Sequence, residues 1–329
     1  MRGAPVALLA CLILMVVVTA GIGLGTRDIA PTAVLRILFD PLGTGYDHDV
    51  LWTERIPRTL LGLAVGAALG ASGLLMQALT VNPLSDPGIL GVQQGAALAV
   101  VLGILFLDVD TARGFFWLAL AGSAVTAAAV YAVGTRTRAG SSTLGLVLAG
   151  VAIAALLASV VTLLVVRDEA VYSSLRFWSV GQLSGRSQVL GQIAPFALVG
   201  LLLALPMGRT LNALALGEDT ARGLGVRVER AQLAGAGVAV LLCAAATAAV
   251  GPVAFVGLVA AHVARMLVGS DHRWSLPLSM VCGAVLLVGA DTAGRLILDH
   301  GEIQVSVMTG IVGTPFFVWL ARRRDLVRM

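Results

Sequence analysis

Nine stretches of this chain contain no Asp, Glu, Lys or Arg: residues 4–25, 59–85, 87–107, 114–135, 139–166, 187–208, 231–264, 274–290 and 303–321. A bilayer's hydrocarbon core is about 30 Å thick, so a helix needs about 20 apolar residues to cross it. Spanning β-strands would be about ten residues long and would alternate apolar with polar positions. These runs are too long and too uniformly apolar for that. The fold class read from the pattern is all-α, as a polytopic membrane protein.

Composition narrows the function classes. The chain has 329 residues, 58% of them hydrophobic and 12% charged, whereas soluble domains carry about 25% charged residues. That excludes an ordinary water-soluble enzyme and a disordered chain. The net charge of +4 is too small for a nucleic-acid binder. All 22 basic residues are arginine. Cys11, Cys243 and Cys282 all fall in apolar runs without CxxC spacing, so they read as packing residues, and neither disulfides nor a metal site is expected.

One run is too long for a single pass. Residues 231–264 would form a helix of about 51 Å. Gly251-Pro252 lies inside it, and proline removes a backbone donor and clashes with the preceding turn. Splitting there predicts ten spans: 4–25, 57–80, 88–107, 114–135, 142–166, 189–207, 231–250, 252–268, 274–298 and 303–321. The charges give an orientation, because cytoplasmic loops are enriched in basic residues. With both termini cytoplasmic, the inner segments 1–3, 81–88, 134–142, 207–230, 265–274 and 322–329 hold 13 Arg against 6 acids. The outer segments hold 9 Arg against 12 acids. The first run has 22 residues, against about 7–15 for the apolar region of a signal peptide, and reads as a retained helix.

Two connections are long. The outer segment 26–56 contains IAPTAVLRILF, whose apolar spacing suits a short helix along the surface. It is read either as a connector folded back on the bundle or as a segment in direct contact with substrate. The inner segment 207–230 has an apolar side at Leu211, Leu214 and Leu216, and Glu218 and Arg222 stand four apart. Gly217, Gly223 and Gly225 interrupt it, which predicts two short helices with a sharp turn. Such a segment fits docking to a soluble partner or lying on the membrane surface.

Few polar residues lie within the spans. Gln77, Gln93, Gln94, His262 and Thr309 are expected to bond to neighbouring helices. Runs such as GLAVGAALGASG, residues 62–73, carry the small-residue spacing that lets helices approach closely. Asp291 and Arg295 share a helix face four residues apart, near the outer end of the ninth span. No span carries an isolated acid at mid-depth, which counts against a proton-coupled secondary transporter. No HExxH, GxSxG or phosphate-binding P-loop occurs. A P-loop needs a lysine, and this chain has none, so any ATPase driving it is a separate polypeptide.

Five segments together resemble the permease subunits of bacterial ABC importers for iron-siderophore, haem and cobalamin complexes. They are RIPRTLLGLAVGAALGASGLLMQALTVNPLSDPGILGVQQG (55–95), FWSVGQLSGRS (177–187), LGEDTARGLGV (216–226), GPVAFVGLVAAHVARMLVGSDHRWSLPLS (251–279) and VMTGIVGTPFFVWLARRR (307–324). They follow the family's order, so the resemblance covers essentially the whole chain. It implies a type II ABC importer permease fold of ten helices in the bacterial cytoplasmic membrane, working as a homo- or heterodimer with a second permease subunit. It also implies two cytosolic ATPase subunits and an extracytoplasmic substrate-binding protein, with no cofactor and no covalent chemistry in this chain.

The resemblance further implies site residues. Arg55, Arg58 and Arg295 match arginines that pair with acidic residues of the binding protein. On the residues alone, Arg55 and Arg58 also read as anchors at a helix end, and Arg295 as the partner of Asp291. Gly217, Glu218, Arg222 and Gly225 match the coupling helix that sits in a cleft of the ATPase. Asn82, Leu84, Ser141 and Ser142 match inner loops that narrow the pathway. They also read as turn and helix-capping residues. The expected cargo is an iron(III)-siderophore, with haem and cobalamin as alternatives. A proton-coupled secondary transporter and a membrane-embedded enzyme are the readings from other classes.

Overall fold

A computed structural model describes residues 3–25, 27, 29–40, 43–136, 143–298 and 301–322. Among them the secondary structure is helical, without strands. The helices are α1 (Gly3–Gly23), α2 (Pro31–Leu38), α3 (Tyr46–Asp49), α4 (Ile56–Thr80), α5 (Val92–Leu107), α6 (Ala112–Arg136), α7 (Thr143–Arg167), α8 (Glu169–Ser179), α9 (Leu190–Ala204), α10 (Met207–Leu214), α11 (Glu218–Gly223), α12 (Val228–Val250), α13 (Val256–Val268), α14 (His272–Leu296) and α15 (Val305–Arg322). Seven helical stretches are long and apolar enough to cross a membrane, among them Tyr46–Thr80, Val228–Val250 and His272–Leu296. Val92–Leu107, Val256–Val268 and Val305–Leu320 are apolar but shorter.

The bundle is built around α4. Ten consecutive residues, Ala68–Gln77, are buried, as expected where a helix is apolar or small on every face. Its glycines set the distance to its neighbours. A Cβ added at Gly66 would stand 2.5 Å from the Gly283 carbonyl oxygen on α14, and one at Gly70 would stand 2.1 Å from that of Ser279. At Gly73 the nearest atom would be the Gly257 carbonyl oxygen of α13, 2.4 Å away. The backbones of α4, α13 and α14 therefore touch directly. In lipid, where apolar side chains gain nothing by leaving the solvent, this close packing is a main source of helix association. α12 forms the other buried wall, with Leu242–Val250 buried throughout. By contrast, α1 buries only Ala10 and Gly21 and turns Leu8, Leu9, Leu12 and Met15 outward.

Three boundaries depart from the sequence expectation. First, the span expected from 57 is part of one helical stretch from Tyr46, joined through a π-helical turn at Val50–Arg55. Leu51 is buried there against Ile29 and Val34 of the α2 region, so burial extends the helix beyond the apolar run. Second, the span expected from 88 starts as a helix only at Val92. The Asp86 carboxylate accepts from the Gly88 amide and caps a 3-10 turn at Pro87–Leu90. That turn packs among α4, α5, α6, α7 and α12, level with Thr126 at the middle of α6. Irregular backbone is tolerated at such depth because protein surrounds it. Third, α12 stops at Gly251 and α13 resumes only at Val256. Gly251 has φ of 84° with the Trp178 carbonyl oxygen against its Cα face, so no side chain fits. The amphipathic α8 was not anticipated.

The packing makes a test. Gly70→Val should destabilise the chain by about 1–3 kcal/mol or more through overpacking. Gly237→Ala, in the interior of α12 where an added Cβ meets nothing within 4 Å, should leave the thermal unfolding midpoint in detergent unchanged or slightly raised.

Candidate docking and coupling sites

The two ends of the bundle carry different chemistry. At the end carrying α2, the loops and helix ends bring Arg55, Arg58, Asp291, Arg295 and Glu302 together. Arg58 grips Asp291 with two nitrogens: Nη2 donates to Oδ1 at 2.8 Å and Nε to Oδ2 at 3.0 Å. Its Nη1 lies 2.8 Å from the Glu302 carboxylate. Bidentate, charge-assisted pairs of this kind fix orientation as well as adding energy. Arg295 is only 3.4 Å from Asp291 through Nε, without hydrogen-bond geometry. The partner of Asp291 is thus chiefly Arg58, on another helix and 233 positions away. No spacing rule reaches that far; it follows from α4 lying on α14.

Arg55 and Arg295 serve a different need. The last carbonyls of a helix lack intrahelical donors. Arg55 donates to the carbonyls of Ile22 and Gly23, and Arg295 to those of Gly21 and Leu24, at 2.8–3.3 Å. Two guanidiniums therefore close the end of α1, where the helix dipole is negative. Arg186 does the same for α12, donating to the Ala249 carbonyl at 3.4 Å. Arg55 is 5% exposed and Arg295 4%. Arg58 instead lines a cavity of about 260 Å³, together with Gln182, Ser184, Asp291, Glu302 and Gln304.

At the opposite end, α10 and α11 form two short helices separated at Gly217, whose φ is 95°. Gly225, with φ of 85°, turns the chain back into α12. Arg222 ties α11 down. It pairs with Glu218 at 3.0 Å, Asp219 at 3.3 Å and Glu229 of α12 at 3.0 Å. Hydrogen bonding to Glu229, foremost, holds its guanidinium above the ordinary arginine value. These groups are exposed, and water screens such pairs so that each adds little to stability. Ala221 is buried and seats the helix. Glu218 and Asp219 remain open to solvent. Nearby, Asp271 accepts from the Asn212 amide at 2.6 Å and from the Arg273 backbone amide at 3.0 Å, which holds its carboxyl below the usual carboxylate range.

Asn82 and Leu84 are exposed at this same end. The Asn82 side-chain oxygen accepts from the Leu84 amide at 2.9 Å, which makes an Asx turn just after α4. Ser141 and Ser142 lie outside the described residues. Among the described residues, no three His, Cys, Asp or Glu converge to hold a metal ion.

Asp291→Asn removes one side of a buried pair and leaves Arg58 and Arg295 less compensated. It should cost about 3–5 kcal/mol, visible as a lower thermal unfolding midpoint. Adding Arg58→Gln should recover much of the loss.

Comparison with known proteins agrees with this architecture. The family model described as the FecCD transport family matches residues 12–323. The ferric enterobactin transport system permease protein FepD of Escherichia coli is 41% identical, over 95% of this chain and 94% of that protein. The hemin transport system permease protein HmuU of Yersinia pestis is 36% identical, over 98% and 97%. A solved inward-facing metal-chelate type ABC transporter superposes with a TM-score of 0.83 at 28% identity, covering 97% of this chain and 99% of that one. The chain therefore belongs to the FecCD transport family and is a membrane transport permease, not an enzyme.

Proposed function

We propose that this chain forms the translocation pathway of an ATP-driven importer for a metal chelate, with an iron(III)-siderophore as the cargo. The observation that carries the reading is α11, a six-residue helix held outside the bundle by Arg222, with Glu218 and Asp219 facing solvent. It has the form of a plug for a cleft in a soluble partner. In this reading the seven long and three shorter apolar helices make ten spans, both termini are cytoplasmic, and two copies or two related chains pair. Two cytosolic ATPase subunits grip the 207–230 segments, with Gly217 and Gly225 shaping the turns and Glu218 and Arg222 at the contact. The bacterial cytoplasmic membrane is the setting.

An extracytoplasmic binding protein docks on the Arg55–Arg58–Arg295 cluster. Arg58 lines the open cavity and can exchange Glu302 for a partner's carboxylate. Arg55 and Arg295 contribute by fixing the end of α1 beside it. Asn82 and Leu84, with Ser141 and Ser142, narrow the pathway at the α11 end. The 41% identity with the enterobactin permease favours a siderophore, while permeases named for hemin and cobalamin stand at 36% and 37%. Haem and cobalamin are the competing cargoes.

Three measurements test this reading. Deleting 216–226 should abolish co-purification with the ATPase while the chain still inserts; an intact complex would overturn the coupling role. Arg58→Gln should weaken binding-protein docking, with the difference from wild type shrinking as salt is raised; equal affinity at low salt would remove Arg58 from the interface. The binding protein, titrated with ferric siderophores, haem and cobalamin, should prefer the siderophore. Uptake that persists without any ATPase would favour a proton-coupled transporter instead.

A further inference from the structure

The connection between α1 and α4 contains a helix with two apolar faces. On one face of α2 (Pro31–Leu38), Val34 is buried against Ile29 and Leu51, and Ile22, Ala33, Ile37 and Leu38 pack around them. Leu35 and Phe39 stand four apart and share the opposite face, with Thr32 and Arg36 beside them. Leu35 is 57% exposed, and Phe39, which closes the helix, is 88% exposed. The inner face is explained by packing on the bundle. The outer face needs an occupant.

The level of α2 is set by α1. That helix has 21 residues, about 32 Å of length, against about 30 Å of hydrocarbon in a bilayer. Its end at Gly23 therefore lies where hydrocarbon gives way to headgroups, and Ile22 at that end packs against the Val34 cluster. α1 is also the wall that the bundle turns outward: Leu12, Met15 and Val16 are exposed along it, and Leu24 continues the apolar surface past its end. The face of α2 is thus continuous with a surface that lipid covers. Polar groups of the connection gather on α3 and the turn after it. Asp47 accepts from Arg27 at 2.9 Å, the Arg27 guanidinium stands 4.7 Å from the Tyr46 ring centroid, and the Asp49 side chain is 72% exposed. α2 keeps a single charge, Arg36, whose long stem lets the guanidinium return to the phosphates.

We propose that α2 is an interfacial anchor, lying along the bilayer surface with Leu35 and Phe39 inserted among the upper acyl chains. Helices of this kind bury an apolar stripe just beneath the headgroups, and tyrosine and tryptophan concentrate at the same level, where Tyr46 and Trp52 stand. Trp52 donates from Nε1 to the Ile37 carbonyl of α2 at 3.3 Å. A water-soluble partner would have to reach down to the headgroups beside α1 to cover this face. The anchor also has a consequence for the bundle. Val34 covers Leu51, and the Arg27 carbonyl accepts from Arg55. α2 therefore ties the π-helical turn that leads into α4 to the membrane surface.

The test uses the full-length chain in phosphatidylcholine nanodiscs. Cys11, Cys243 and Cys282 are each replaced by Ala, and an environment-sensitive fluorophore is attached at Leu35→Cys, Phe39→Cys or Asp49→Cys. At Leu35→Cys and Phe39→Cys the emission should be blue-shifted and should be lost to spin labels carried near the headgroup end of the acyl chains. At Asp49→Cys it should match emission in water and resist those labels. Water-like, unquenched emission at both Leu35→Cys and Phe39→Cys would overturn the proposal. A second measurement serves if the cysteine-substituted chain does not fold. The photoreactive residue benzoylphenylalanine, placed at position 39 of the otherwise native chain, should attach to phospholipid on illumination, with or without the extracytoplasmic binding protein. Attachment to the binding protein, or to a second copy of this chain, in place of lipid would overturn the anchor.

Discussion

Direct backbone contact between α4 and its neighbours α13 and α14 is the constraint on which the rest of this structure depends. It needs glycine at Gly66, Gly70 and Gly73 on one side and at Gly257 and Gly283 on the other, since each added Cβ would meet a carbonyl or a Cα within about 3 Å. Polar contacts at both ends of α4 follow from that packing. At one end of α4 it brings Arg58 to Asp291 of α14. At the other it brings Gln77 to Arg265 of α13. Arg58 and Gln77 are 19 residues apart on a single helix, about 28 Å along its axis. One packed rod thus places an ionic cluster at one end of the bundle and the Gln77–Arg265 contact at the other.

A second constraint explains how the chain uses its arginines. Helix ends expose carbonyls, and in an apolar surrounding each needs a donor. Here Arg55 and Arg295 meet those of α1, and Arg186 meets one near the end of α12. A guanidinium suits this work. It carries five donors in a planar fork, so one side chain reaches carbonyls on successive turns while remaining charged. An ammonium would offer a point charge with less directional reach. The same group serves at Arg58 for carboxylates and at Arg222 for an exposed acidic cluster.

Much of this was legible in the sequence because it is local. The apolar runs located the helices, Gly251-Pro252 located the break between α12 and α13, and Gly217 and Gly225 marked the turns around α11. IAPTAVLRILF showed the spacing that becomes α2. What was not legible depends on tertiary contact. Asp291 was weighed against Arg295 because they share a helix face, yet the stronger partner is Arg58, which only the α4–α14 packing reveals. The segment 81–91 has the composition of a surface loop, and only the surrounding helices show that its 3-10 turn is enclosed. Val50–Arg55 carries charge and polar groups, so hydropathy could not extend α4 through it. The burial of Leu51 does.

The distribution of packing also limits where motion can occur. A helix enclosed on every side cannot bend without opening voids, and interiors of this density shift as units. α4 and α12 are of that kind. α1 and α7 bury little within the chain, and α11 is attached mainly to α10 and the start of α12. α11 touches both α10 and the start of α12, the latter through Arg222 and Glu229. α12 runs 23 residues, about 35 Å, and ends where the Val250 carbonyl accepts from the Gln182 amide at 2.9 Å. Gln182 in turn lines the cavity that contains Arg58. One stiff helix consequently joins the α11 end to the arginine cluster. The glycine at position 251, in a conformation open to few other residues, is where that helix hands over to a differently directed one.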